Sequence, residues 1–484
     1  MIILYIFFPL FLTSIDHKSN IEEGLNVEID SNAKIIDLKN KKIKKLPNKL
    51  KTCSEVKILD LEENRLTNEC FDIIMELKQL KRLTLVDNMI NKIPYTFCYM
   101  NDLSFLDLGY NCFKKIPKSF KTMNIKFLKL DGISRNSRDK EISYSEKIDI
   151  LKIVFSMKNL ITLSFRNNRT GNIEMDLNIN NNVRNLDLRN NNISEVPSFI
   201  LNFKRLKYID LTNNKIMTII PLNSLKELKH VRIEDNIISN ILPGTFHSLE
   251  ELRISLAPET SFPLLNINKK QALKTLKVVK TEILPEFAQE IFKVHTIQSL
   301  TLSSCEYGNM MKGIEQMTDL QKLEIYWKNE KIFSSTFSCL ENLQSLSIFS
   351  LKPYYDIKPS FYDNLKNITT LKNLEIDLQS SSYLRIPPIF NIIGLERLII
   401  AGYKIDDLKD FLKLKNLKYL EIRKIKITTI TKEDIINLYK IDTTYLLLIS
   451  NEKIEGNIKE EIRKRRETDG LKEKNKMVVI ISKY

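Results

Sequence analysis

Catalysis or metal binding in this chain of 484 residues would rest first on four histidines, His17, His230, His247 and His295. It could also use six cysteines: Cys53, Cys70, Cys98, Cys112, Cys305 and Cys339. A structural or catalytic metal needs several such ligands at close spacing, such as HExxH on one face of a helix. None of the four histidines falls in such a spacing. The sequence also contains no GxxxxGKS/T phosphate loop, no GxGxxG turn after a strand, no GxSxG nucleophile elbow and no kinase signature. These absences lead us to expect no catalysis, no metal and no cofactor. Another group of residues is suited to binding: the cations Arg232, Arg253 and Lys277, and the aromatics Tyr326, Trp327 (the only tryptophan) and Phe349. Large aromatics beside arginine are typical of the few residues that dominate the energy of an interface.

What must position those six residues is a repeat. LKRLTLVDNMINKIPYTF from Leu80, LSFLDLGYNCFKKIPKSF from Leu103 and VRNLDLRNNNISEVPSFI from Val183 share the frame LxxLxLxxNxLxxIPxxF. VKILDLEENRL from Val56 and LKYIDLTNNKI from Leu206 fit its first half. Further units start near Ala33, Ile125, Leu160, Leu228, Leu249, Leu273, Ile297, Leu320, Leu343, Leu371, Leu395, Leu417 and Thr444, mostly about 21–24 residues apart. In the LxL core the apolar residues alternate, so a short strand buries one face and exposes the other. Leu106 and Leu108 should point inward, with Phe105, Asp107 and Gly109 outward. Phe113, Ile116 and Phe120 should line the inside of the return segment. Pro47, Pro94, Pro117 and Pro197 should interrupt regular structure where the chain turns back. One unit cannot bury its own apolar face, but stacked units can.

The asparagine at the ninth position of the frame offers both a donor and an acceptor to backbone groups where the chain leaves the strand. Asn64, Asn88, Asn111, Asn168, Asn191, Asn214 and Asn236 should form that ladder, a structural role. On these residues the chain resembles the leucine-rich-repeat superfamily over residues 33 to about 451. The resemblance implies an α/β solenoid of about 18 repeats. It also implies a parallel sheet on the concave side, irregular or short helical segments on the convex side, and a role in protein recognition.

The middle outward position of successive strands reads Asp37, Asp60, Thr84, Asp107, Lys129, Ser164, Asp187, Asp210, Arg232, Arg253, Lys277, Thr301, Glu324, Ser347 and Glu375. The face is acidic early, basic in the centre and mixed later. Three cations on consecutive strands, about 4.8 Å apart, should repel one another. A partner with negative charge beside an apolar patch would relieve that and meet Tyr326, Trp327 and Phe349. Replacing Arg232 and Arg253 by glutamate is then expected to weaken binding and leave stability unchanged. A second class of function competes with protein recognition. The net charge of +15 and pI near 9.2 suit either nucleic acid or an anionic surface, or a solvated lysine-rich exterior.

Three features depart from the frame. The unit between Ile125 and Leu160 is long, with a polar loop at 135–145 and a capping box, Ser143 with Glu146, opening a helix that carries Ile148, Leu151 and Phe155. The ninth-position asparagine stops after Asn236, where Ala257, Thr281, Cys305, Lys328 and Leu351 follow. Residues 452–484 become highly charged and read as a terminal cap: a short helix, with Arg463-Lys464-Arg465-Arg466 on a solvated face or in a basic patch, then a final strand, MVVIISK. At the other end, the uncharged MIILYIFFPLFL heads residues 1–14, a possible signal peptide for secretion, or else an apolar arm of a chain that stays in the cytoplasm. Residues 15–32 would then form the N-terminal cap. No stretch is apolar for the roughly 20 residues a membrane-spanning helix requires. The cysteines occupy non-equivalent positions of the repeat, so disulfides are not expected, and this usage suits a reducing compartment. Cys53 takes an apolar slot and Cys305 a ladder slot. Three glycosylation sequons begin at Asn168, Asn192 and Asn367.

Overall fold

A computed structural model describes residues 29–133, 142–175, 182–239, 248–257, 260, 272–279, 283, 285–305, 311–327, 339–350, 365, 367–377, 384–385, 389–404, 408–425, 445–450 and 477–482. The apolar leader 1–14, most of the N-terminal cap, most of the polar loop and the helix expected in the tail lie outside them, as do the side chains of Cys305 and Trp327. The chain divides into two compact units, Met1–Leu163 and Ser164–Tyr484.

In the first unit the LxL cores form strands of three residues: β1 (Ile35–Asp37), β2 (Ile58–Asp60), β3 (Arg82–Thr84), β4 (Phe105–Asp107), β5 (Phe127–Lys129) and β6 (Thr162–Ser164), with the division falling inside β6. β1 to β5 pair in parallel and in register, so that Ile36, Leu59, Leu83, Leu106 and Leu128 form one inward row. All five are buried, as are Leu108, Phe113, Ile116 and Phe120. Pro47, Pro94 and Pro117 each stand immediately before a 3-10 turn, Asn48–Thr52, Tyr95–Tyr99 and Lys118–Thr122. Their fixed φ, near −65°, sets the entry to that turn, which then drops Leu50, Phe97 or Phe120 into the core. Phe97 links successive return segments, 5.1 Å from Phe71 in the short helix α1 (Phe71–Ile74) and 6.2 Å from Phe120. The long unit holds α2 (Tyr144–Phe155), opened by the expected capping box: the Ser143 hydroxyl accepts from the Glu146 backbone N–H, and the Ser143 N–H donates to Glu146 at 2.8 Å. Leu106 is fully buried, so Leu106→Ala should cost about 3 kcal/mol of unfolding free energy in urea titration. A loss below about 0.5 kcal/mol would mean the inward and outward faces are exchanged.

The second unit continues the same frame. Its strands are β7 (Asn185–Asp187), β8 (Tyr208–Asp210), β9 (His230–Ile238), β10 (Glu251–Leu256), β11 (Thr275–Val279), β12 (Ser299–Cys305), β13 (Lys322–Trp327), β14 (Ser345–Ser350), β15 (Asn373–Asp377), β16 (Leu384–Arg385), β17 (Arg397–Ala401), β18 (Tyr403–Lys404), β19 (Tyr419–Ile425), β20 (Tyr445–Ser450) and β21 (Met477–Ser482). From β7 to β15 each strand pairs in parallel with the next. The ladder goes on through β17, β19, β20 and β21, while β16 and β18 make a small separate pair. The final strand expected in the tail is thus present as β21, paired with β20. The helix α3 (Pro285–Phe292) returns the chain from β11 to β12 and buries Phe287, Ala288, Ile291 and Phe292.

The asparagine ladder explains why the strands differ in length. In the second unit the Asn191 amide donates to the carbonyls of Phe165 (2.7 Å) and Leu188 (3.0 Å), and Asn214 repeats this on Leu188 and Leu211. Asn64, Asn88 and Asn111 act alike in the first unit. The residue before each ladder asparagine takes a left-handed conformation: Glu63, Asp87, Tyr110, Asn167, Asn190, Asn213 and Asp235 have φ of 52–58°. After the three-residue strands that turn lifts the chain off the sheet and the carboxamide satisfies the backbone groups left behind, whereas β9, which also holds Asp235 and Asn236, runs on for nine residues. Beyond Asn236 no such side chain recurs, and the backbone groups pair instead with neighbouring strands. β10 to β15 accordingly run for five to seven residues.

Candidate binding face

Register makes the middle outward row of the second unit literal. Asp187, Asp210, Arg232, Arg253, Lys277, Thr301, Glu324, Ser347 and Glu375 are successive partners across β7 to β15. The inward places beside the cations belong to Val231, Ile233, Leu252, Ile254, Leu276 and Val278, all buried. Arg232, Arg253 and Lys277 therefore do line up on the solvent-facing side of the sheet.

They do not repel one another as expected, because carboxylates on the same strands lie between them. Glu251, two residues before Arg253 on β10, places its carboxylate between both arginines, 3.0 Å from Arg232 Nη2 and 2.7 Å from Arg253 Nε. Glu234 on β9 meets Lys277 at 2.7 Å. Burial of Glu251 works against its ionisation, but the neighbouring His230 ring and the charges of Arg232 and Arg253 outweigh it and hold the carboxyl at about 2. His230 Nδ1 lies 3.4 Å from that carboxylate, is buried, and makes no well-formed hydrogen bond. The network extends to β7 and β8. Asp187 accepts from Arg166 at 2.7 Å and from Arg189 at 2.9 Å, Arg189 reaches Asp210 at 3.3 Å, and the Tyr208 hydroxyl donates to Asp210 at 3.0 Å. Asp210 is almost fully buried, and that burial, followed by the charge of Asp187, raises its pKa. The carboxylates that neutralise the cations sit one row to either side of the middle position. The middle row alone does not show them; the flanking outward positions of the same strands do.

The aromatic part of the site is different. Tyr326 on β13 and Phe349 on β14 are register partners whose rings stack at 4.8 Å with an angle of 22° between their planes. Both are half-buried on the solvent-facing side, over a core already completed by Leu323, Ile325, Leu346 and Ile348. The Tyr326 hydroxyl donates to Glu324 at 2.9 Å; burial and then this bond push the phenol up to about 12. Trp327 follows on β13 and pairs in register with Ser350, which is buried, so period-two alternation does not place it in the row of Tyr326 and Phe349. Among the described residues no group of three or more histidine, cysteine, aspartate or glutamate side chains is arranged to hold a metal ion, and no helix is long and apolar enough to cross a membrane. Cys53 fills its apolar slot as a buried thiol. The sequon residue Asn168 is fully buried, whereas Asn192 and Asn367 are exposed.

Three family models match the chain. Residues 263–467 match a model described as leucine-rich repeat region, 54–113 one described as leucine rich repeat, and 181–224 one described as leucine rich repeats in two copies. Among curated proteins, the volume-regulated anion channel subunit LRRC8A of Homo sapiens is 29% identical over 151 residues, 29% of this chain and 18% of the channel subunit. An adenylate cyclase of Schizosaccharomyces pombe is 22% identical over 293 residues, 56% of this chain and 15% of the cyclase. The matched stretch thus spans less than a fifth of either relative. Among solved structures, the TLR13–ssRNA13 complex is 17% identical with a TM-score of 0.52, covering 88% of this chain and 79% of that one. A leucine-rich-repeat protein of Leptospira interrogans is 21% identical with a TM-score of 0.47, covering 93% and 96%. Proteins of this fold generally mediate protein recognition. Frame, parallel ladder, asparagine turns and family models agree: the chain belongs to the leucine-rich-repeat superfamily and is built as a leucine-rich-repeat solenoid.

Proposed function

We propose that this chain is a recognition module without catalytic activity, and that it holds a protein partner on the solvent-facing side of β9 to β14. Tyr326 and Phe349 supply the apolar anchor, and Arg232, Arg253 and Lys277 the charged flank; Trp327, outside their row, is left out of it. The stacked pair Tyr326–Phe349 carries this reading. Two aromatic rings stand on the solvent side of a sheet whose core is complete without them, so their placement serves no internal packing need. The partner that fits presents an apolar patch beside carboxylates. Because Glu251 and Glu234 already answer the cations, the charged flank selects and orients such a partner more than it adds affinity.

The test is a pull-down from the source organism with the full chain, mass spectrometry of what is retained, and measurement of the purified pair. Phe349→Ala should weaken binding about tenfold or more, chiefly through faster dissociation, with an unchanged thermal midpoint. Lys277→Gln should act mainly on the association rate. Wild-type affinity in Phe349→Ala would move the site off these strands. The competing reading, a nucleic-acid or anionic-surface binder, draws on the net charge of +15 and predicts a steep loss of affinity with salt. The internal pairing of the central cations weighs against it on this face.

A further inference from the structure

The solvent-facing side of the first unit carries a different surface. Ile35, Ile58, Arg82, Phe105 and Phe127 are successive register partners across β1 to β5, in the outward row nearest the strand starts. Ile35 is 48% exposed and Phe127 39%, and Ile58 is half-buried. Phe105 also faces away from the core, but the Arg82 guanidinium lies 3.9 Å over its ring and Phe127 abuts it at 6.4 Å. The inward row beneath is already filled by Ile36, Leu59, Leu83, Leu106 and Leu128. Ile35, Ile58 and Phe127 are therefore surplus to that inward row, whereas Phe105 is itself buried beneath Arg82 and Phe127.

Two residues further along the strands runs a second row: Asp37, Asp60, Thr84, Asp107 and Lys129. Lys129 answers Asp107 at 3.1 Å. Asp37 and Asp60 face each other across β1 and β2 and, among the described residues, make no ion pair within 4.0 Å; each accepts a backbone N–H two residues on, from Lys39 and Glu62, while the charges of Lys39 and Arg82 act on Asp60 from further off. Lys39 itself is held by Glu62 at 3.0 Å and Glu63 at 3.7 Å. Burial, opposed by the Glu62 N–H and reinforced by the charge of Asp37, raises the pKa of Asp60. The chain as a whole has a net charge of +15, so this negative excess runs against the bulk charge of the molecule.

We propose that the solvent-facing side of β1 to β5 docks a helical segment of another protein that carries a stripe of apolar side chains flanked by lysine or arginine. The apolar row takes the stripe and the carboxylates of Asp37 and Asp60 take the cations. Spacing favours a helix laid across the strands. Strands lie about 4.8 Å apart and the two rows about 6.6 Å apart along them. Helical side chains three or four residues apart are separated by about 5–6 Å, which matches the step from strand to strand. A nucleic acid or an anionic membrane would meet repulsion from the same carboxylates. This surface is independent of the one proposed on β9 to β14, and the two are tested by different residues.

The probe is a fluorescein-labelled model helix with leucines on one stripe and lysines beside them, titrated into the full chain by fluorescence anisotropy. Two controls replace its lysines by glutamate or its leucines by serine. The lysine–leucine helix is expected to bind and both controls to bind at least about tenfold more weakly. Asp37→Asn with Asp60→Asn, which keeps the side-chain shapes, should reduce affinity by a similar factor, as should Ile35→Ser with Phe127→Ser. Tyr326→Ala with Phe349→Ala should change nothing. No binding of the lysine–leucine helix overturns the proposal, as does equal binding of the glutamate control. Wild-type affinity in the Asp37/Asp60 variant also overturns it. Self-association of the chain that the same variant abolishes overturns it in favour of a second copy as occupant.

Discussion

Asn214→Ala is expected to cost roughly 4–5 kcal/mol of unfolding free energy, more than any single buried methylene group accounts for. The Asn214 carbonyl oxygen accepts from the backbone N–H groups of Asn191 and Ile193, each at 3.0 Å. Its amide donates to the carbonyls of Leu188 at 3.1 Å and Leu211 at 2.8 Å. Alanine leaves two buried N–H groups without acceptors and two carbonyls each short of a donor, where water has little access. Each such group costs about 1–3 kcal/mol. Asn214→Leu separates hydrogen bonding from volume: it fills the space, satisfies none of the four groups, and should be at least as damaging. Urea titration followed by circular dichroism checks both. A loss under about 1 kcal/mol in either variant would show that water replaces the carboxamide, and the ladder would then not be what holds the turns.

Glu251→Ala is expected to destabilise the second unit by about 4 kcal/mol, because it strands two arginine side chains that the fold holds against one carboxylate. The side chain of Arg232 is only 11% exposed and cannot turn out into water without disturbing its stacking over Tyr208. The pH dependence carries the sign. The Glu251 carboxyl is held at about 2 in the folded chain, below the roughly 4.3 of an unfolded glutamate. Its contribution is therefore complete above the unfolded value and is lost as pH falls from there toward 2. The stability difference between wild type and Glu251→Gln should be constant above about pH 5, be mostly lost near pH 2 and vanish below it. A difference that does not narrow in that window would remove Glu251 as the counter-ion. The same geometry reverses the expectation for the double replacement of Arg232 and Arg253 by glutamate. That change gathers three carboxylates on neighbouring strands, and the thermal midpoint should fall sharply.

Much of the architecture was legible along the chain because its cause is local. The frame LxxLxLxxNxLxxIPxxF states which residues alternate, which side chain faces the turn and where proline ends the path. Leu106, Phe113 and Phe120 are buried as the frame requires, and Ser143 with Glu146 caps α2. The left-handed residue before each asparagine was legible only in part: Asp87, Asn167, Asn190, Asn213 and Asp235 are of the two types that tolerate that conformation, whereas Glu63 and Tyr110 have no preference for it and the hydrogen bonds of the next residue impose it. Nor did the composition of the strands announce that they would lengthen from β9 on, since β9 runs for nine residues although it still carries Asn236.

For the candidate site the division is sharper. The sequence by itself determined which side of each strand a residue occupies, because strand alternation has a period of two and the apolar partners are unmistakable; Arg232, Arg253, Lys277, Tyr326 and Phe349 are all on the side it specified. Only the tertiary structure decided what those residues meet there. Register brings Glu251 between two arginines on adjacent strands, carries Glu234 two strands across to Lys277, stacks Tyr326 on Phe349, and sets Asp37 facing Asp60. The physical reason is that alternation is a property of one strand, read within a few residues, whereas the contacts of Glu251 with Arg232, Glu234 with Lys277 and Tyr326 with Phe349 join residues about 20 or more positions apart, whose distances are set by how successive repeats pack.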